Sequence, residues 1–243
     1  MNRTRKIFQF RITLLEVFPH VWRRIQVPGE YTFWDLHVAI QDSMGWRDCH
    51  DHLFRLQDED EIVKVGFPVD SKAVDEFEAG WDVMIDEFFC DPGTTTIYEY
   101  DSGDSWKHEV LLERVFGPEE NVKYPRCICG RGACPPEDCG GPKGYLELRQ
   151  ILRDPKEKEY QQKVKWMSAM VKMRGQMPFD EINPGAVRFS KPRTRLKHKM
   201  KDLPSPKDDR PHPVRSQPRF TPLQTYGGTH DLSRVDPTVS PFL

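Results

Sequence analysis

The chain reads as an α+β protein, with one compact domain over residues 1–190 in which helices cover a β-sheet, and a disordered Pro-rich basic tail over 191–243. Three observations predict this. Apolar residues alternate with period 2 in several short runs, and they recur at helical spacing in others. Both patterns stop at Lys191, beyond which nine prolines fall between Pro192 and Pro241. A hydrophobic content of 37% with 11% aromatic residues is enough for a core, whereas 21 prolines indicate that part of the chain stays outside it.

The first strand is marked by Phe8, Phe10, Ile12 and Leu14 alternating with Gln9, Arg11 and Thr13, and it ends before Pro19. A helix follows. Thr32 caps it, Asp35 completes a capping box, Tyr31 and Leu36 occupy the staple positions, and Gly45 stops it. Phe33, Leu36, Ala39, Ile40 and Met44 form its buried stripe. His52 to Gln57 and Glu61 to Gly66 read as short strands about an acidic turn. Trp81, Met84, Ile85, Phe88 and Phe89 recur at helical spacing until Asp91-Pro92-Gly93.

Thr94 to Tyr100 and Trp106 to Val115 are rich in β-branched and aromatic residues around Asp101-Ser102-Gly103-Asp104-Ser105, which predicts a hairpin. After a Cys-rich loop come two helices. Tyr145, Leu148, Ile151 and Leu152 line the first; Tyr160, Val164, Met167 and Val171 line the second, which closes at Arg174-Gly175. Each apolar face needs covering, and an α+β domain supplies the cover.

Charge is unevenly placed. From Lys191 onward eleven Lys and Arg face five Asp and Glu, a surplus of six positive charges, so a whole-chain net of -2 leaves -8 on the body. Nucleic acid is thus expected to be attracted only weakly, through the tail. No apolar run reaches membrane-spanning length and the start, Met1-Asn2-Arg3-Thr4-Arg5-Lys6, has no apolar signal core. The expectation is a cytoplasmic protein without membrane contact, in which the six cysteines are reduced thiols or metal ligands.

Four ordered stretches carry a resemblance. They are Pro19-His20-Val21-Trp22-Arg23-Arg24-Ile25-Gln26-Val27-Pro28 with Leu36-His37 in the helix beyond it, Gly45-Trp46 leading to His50-Asp51-His52-Leu53-Phe54, Tyr98-Glu99-Tyr100-Asp101-Ser102-Gly103-Asp104-Ser105-Trp106-Lys107-His108, and Pro135-Pro136-Glu137-Asp138-Cys139-Gly140-Gly141 with Gly144-Tyr145. Over roughly residues 6 to 185 the chain resembles the plasmid pRiA4b ORF-3-like family, also described as TnpR-like passenger proteins of insertion elements. Two positions depart from that pattern: Ser102 stands where the family usually has an aromatic residue, and Asp51 where it usually has Leu. The resemblance implies a compact α+β fold and a mobile-element setting, and it implies no particular reaction.

Three residue groups bear on chemistry. Cys127, Cys129, Cys134 and Cys139 offer four thiolates for a structural zinc ion, although a C-x-C pair must bend sharply to hold one metal, and a Gly/Pro-ordered loop with incidental thiols is the competing reading. His50 and His52 on one face of a strand, with Asp101, Asp104 and His108 of the hairpin, offer either a metal or acid-base pocket or a hydrogen-bonded turn. Glu137 and Asp138 are adjacent carboxylates that suit acid-base work or the capping of the helix beyond them.

No Walker phosphate loop, G-x-S-x-G elbow or H-E-x-x-H helix occurs. The expected function is that of a non-enzymatic interaction or accessory module, stapled by zinc if the cysteines bind it, with an unknown protein partner. The alternative is a metal-dependent or acid-base enzyme built on the His/Asp cluster. Serine recombination is disfavoured, because no serine precedes Ser43 in the N-terminal strand region.

Overall fold

The computed structural model describes residues 5–58, 61–68, 77–156, 158–166 and 182–201. Its centre is an eight-stranded sheet formed by β1 (Ile7–Leu14), β2 (Trp22–Pro28), β3 (His52–Asp58), β4 (Glu61–Gly66), β5 (Glu78–Ala79), β6 (Thr95–Tyr100), β7 (Trp106–Phe116) and β8 (Arg126–Arg131). The order is β5-β4-β3-β6-β7-β1-β2-β8, antiparallel except for β4 with β5. The helices are α1 (Phe33–Met44), the single turn α2 (Ile85–Phe88), α3 (Gly141–Ile151), α4 at residues 160–166 and α5 (Pro192–Lys201). The fold is therefore the expected mixture of helices and one sheet.

The first strand buries Phe8, Phe10, Ile12 and Leu14 as its alternation requires, and α1 forms between the expected caps. Thr32 Oγ1 accepts from the Asp35 amide, Asp35 accepts from the Thr32 amide, and Gly45 adopts φ 92°. The hairpin of β6 and β7 is present, pairing Tyr100 with Trp106 at its tip.

Several elements differ from expectation. The helix expected around Trp81 to Phe89 shrinks to α2, because residues 80 to 84 have another task. The carbonyls of Gly80 and Val83 accept from the amides of Trp34 and Phe33, at 2.9 Å each, and so satisfy donors that the first turn of a helix leaves open. Within the stretch expected to be a disordered tail, Pro192–Lys201 forms α5 against α1. It docks by polar contacts: Arg195 with Asp42 at 2.6 Å, Lys199 with Asp48, and the Trp34 indole donating to the Pro192 carbonyl at 3.1 Å. Finally, β2 and β8 are strands without an alternation that announces them. Met167, Val171 and Arg174-Gly175 of the last expected helix, and the tail from residue 202, lie outside the described residues.

No helix among the described residues is long and apolar enough to cross a membrane.

Candidate functional site

The hairpin turn and the loop from Pro135 to Gly144 meet at the end of β3. Asp101 closes the turn with its own carboxylate, Oδ1 accepting from the amides of Gly103 and Asp104 at 3.0 and 3.1 Å. Asp104 Oδ2 in turn accepts from the Gly140 amide at 3.2 Å. The approach is close enough that a Cβ on Gly141, whose φ is 68°, would lie 2.5 Å from the Asp104 carbonyl oxygen. Glycine is thus a steric requirement where the two loops clamp together.

On the other side, the Trp46 indole donates to the Pro135 carbonyl at 3.0 Å and the Arg47 amide donates to Glu137 Oε1 at 2.8 Å. Tyr100 donates its hydroxyl hydrogen to Glu137 Oε2 at 2.9 Å. Burial and the charge of Glu137 push the Tyr100 phenol far above its usual range, so it remains a donor.

These contacts bring His50, Asp101, Glu137 and Asp138 together. His50 Nε2 lies 3.1 Å from Asp138 Oδ1 and 3.5 Å from both Asp101 Oδ2 and Glu137 Oε2. Although ringed by three carboxylates, this nitrogen is aligned for a hydrogen bond with none of them. One ligand atom each from His50, Asp101 and Asp138 lies within 4.8 Å of the others, a spacing that a single cation can bridge. Glu137 is almost fully buried, while the Asp138 side chain is 64% exposed, so one side of the cluster opens to solvent. Asp101 and Asp138 both have left-handed backbones, with φ of 60° and 57°, which turns the two carboxylates inward from their loops.

The other expected residues lie elsewhere. Asp104 serves the clamp. His108 is fully buried beside Trp46 and Tyr98, with Nδ1 3.3 Å from the Tyr98 carbonyl oxygen, and burial pushes its pKa down to about 3. His52 joins His37 and Asp48 in a separate buried group.

The four cysteines are not gathered as one ligand set. Among the described residues the two groups of three or more His, Cys, Asp or Glu with ligand atoms within 4.8 Å contain no cysteine. Cys127 and Cys129 sit on β8, opposite Ile25 and Arg24 of β2 across a bulge, and Cys127 packs into the core. Near Cys127 and Cys134 lies the buried guanidinium of Arg23, which donates to the carbonyls of Ser43, Trp22, Arg131 and Gly132.

Sequence reasoning missed His37 and Asp48. A signal was present in α1: His37 and Gln41 are polar, one helical turn apart, and both fully buried.

The model of the family described as plasmid pRiA4b ORF-3-like protein matches residues 6–183. The chain belongs to that family. Uncharacterized protein y4hQ from Sinorhizobium fredii, a similar protein, is 31% identical over 187 residues, covering 73% of this chain and 89% of its own. A protein of unknown function, MM3350 from Methanosarcina mazei Go1, has a crystal structure that resembles this one with a TM-score of 0.66 at 33% identity, over 76% of this chain and 99% of that one.

Asp51 and Ser102 turn out to be neighbours. Asp51 Oδ1 accepts from the Ser102 amide at 3.0 Å, and the Asp51 carbonyl accepts from the Asp101 amide at 2.9 Å. Both side chains are exposed and form a polar rim beside the cluster.

Proposed function

We propose that this pRiA4b ORF-3-like protein binds one divalent transition-metal ion at His50, Asp101 and Asp138, with Glu137 as the adjoining carboxylate, and acts through it. The observation that carries this is His50 Nε2, a buried nitrogen surrounded at 3.1 to 3.5 Å by three carboxylates from two separate loops. One imidazole and up to three carboxylates suit Zn(II) or Mn(II). The exposed side leaves room for water or an oxygen of a substrate, which a catalytic site needs and a closed structural site lacks. A bound ion would polarise that oxygen, and Glu137, held by Tyr100 and the Arg47 amide, would be the fixed base beside it.

This favours the metal-dependent reading over a purely structural module. It also moves the zinc expectation from the cysteines to the histidine cluster. Recruitment of a protein partner remains compatible with a metal centre, and the mobile-element setting in the family's name adds no chemistry to it. Of the eleven basic residues expected to serve nucleic acid, Arg195 and Lys199 are already paired with Asp42 and Asp48.

The test is metal analysis of untagged protein after exhaustive dialysis. The wild type and C127S/C129S should retain one equivalent, and H50A and D138N should lose it. Retention by H50A together with loss by the cysteine variant would overturn the proposal.

A further inference from the structure

The positive surplus of the C-terminal stretch is not spread along it. From Lys191 to Lys201 there are six Lys and Arg and no Asp or Glu, whereas residues 202–243 carry five of each and sum to zero. The whole surplus therefore belongs to α5 and the residue before it, and α5 is a folded element held on α1.

Docking sorts these charges into two sets. Arg195 and Lys199, one helical turn apart, face the body and are paired with Asp42 and Asp48, with Pro192 and Leu196 half-buried on the same side. Arg193, Lys197 and Lys201 recur at the same spacing on the outward side, and all three are exposed. None of them takes part in an ion pair among the described residues. Like charges four residues apart destabilise a helix, so this row weakens α5 until an anion neutralises it. Arg188 and Lys191, both exposed, extend the basic surface ahead of the helix.

The chemistry of the face selects the partner. Its outward residues are Arg193, Thr194, Lys197, His198, Met200 and Lys201, with Met200 the one apolar side chain among them. A helix that lies in a bilayer surface needs a wide apolar face, and single-stranded nucleic acid needs aromatic rings on which its bases stack. This face has neither a wide apolar stripe nor a Phe, Tyr or Trp. It has a row of cations which, over eight residues, spans about 12 Å. A duplex presents about seven phosphates over that length, at one charge per roughly 1.7 Å. The negatively charged body repels phosphate, which confines the contact to α5.

We propose that Arg193, Lys197 and Lys201 of α5 dock on the phosphate backbone of a nucleic-acid duplex, while Arg195 and Lys199 anchor the helix to the body. Phosphate contacts carry no sequence information, so binding is independent of base sequence. The surface shares no residue with the His50 centre.

The experiment is fluorescence anisotropy of labelled DNA and RNA duplexes of about 20 base pairs, titrated with the full chain between about 50 and 200 mM KCl. The wild type should bind two unrelated sequences equally, with log affinity falling linearly against log salt. The tighter of the DNA and RNA arms identifies the duplex the protein takes. R193Q/K197Q/K201Q should lose at least about tenfold in affinity at the lowest salt and lower the salt slope by about 3, one per phosphate contact. K207Q/R210Q/R215Q removes the same charge beyond α5 and should change neither quantity. H50A should also bind as the wild type does, which separates this surface from the metal centre. Folding of each variant is checked by circular dichroism; should the α5 triple variant fail to fold, K197Q alone decides, with an expected loss of about 1 in slope. No binding at the lowest salt, or equal losses in the two triple variants, overturns the proposal. Sedimentation of the wild type with phosphatidylserine vesicles without duplex binding overturns it too, in favour of a membrane contact.

Discussion

Tyr100 and Glu137 join the hairpin to the loop between β8 and α3 through one bond of 2.9 Å, and the same hydroxyl accepts from the Cys49 amide at 3.1 Å. Three chain segments thus converge on one oxygen. Tyr100→Phe removes it and leaves a buried carboxylate oxygen and an amide without that partner. The expected loss is about 1–3 kcal/mol in urea unfolding. A change below a few tenths would mean that Glu137 is positioned by other contacts.

His108 sets a pH dependence. Folded, it stays neutral down to about pH 3, whereas the unfolded chain protonates it near 6.5. Between those values the unfolded state binds more protons, so stability falls as pH falls, by about 1.4 kcal/mol per pH unit from this residue. The contribution is complete above pH 6.5. His108→Leu lacks it, and the stability difference between wild type and variant should move in the variant's favour as pH drops through that window. Parallel curves would show that His108 does not titrate this way.

Two truncations separate α5 from the residues beyond it. A stop after Lys201 should leave the melting temperature unchanged. A stop after Ser190 removes the Asp42 and Asp48 ion pairs and the cover over Trp34, and should lower it by about 4–8 °C for each kcal/mol lost in a domain near 100 residues, or about half that in one of 150 to 250. Equal melting of the two would place α5 outside the cooperative unit.

Legibility followed the range of the interactions. The capping box at Thr32 and Asp35 and the stop at Gly45 are local, and α1 was readable to the residue. In β2 the fully buried Arg23 interrupts any apolar alternation, because its guanidinium donates to carbonyls of β8 and the α1 end, more than a hundred residues away in the first case. Strand β8, Arg126-Cys127-Ile128-Cys129-Gly130-Arg131, reads as a loop until β2 pairs with it, so the strand placement of Cys127 and Cys129 is not legible from their spacing. Helix α5 has no buried residue and hence no apolar stripe; ion pairs dock it, and periodicity is blind to these. At the cluster, His50, Asp101, Glu137 and Asp138 were all singled out, but which of them meet depends on the clamp between Asp104 and Gly140.

The most direct measurement on the central claim, that metal binds at His50, Asp101 and Asp138 and not at the cysteines, is the absorption spectrum of the Co(II)-substituted full chain. Nitrogen and oxygen ligands give only weak d–d bands, which should vanish in H50A/D138N and persist in C127S/C129S. An intense near-ultraviolet thiolate-to-cobalt charge-transfer band, lost in C127S/C129S and unchanged in H50A/D138N, would contradict the assignment.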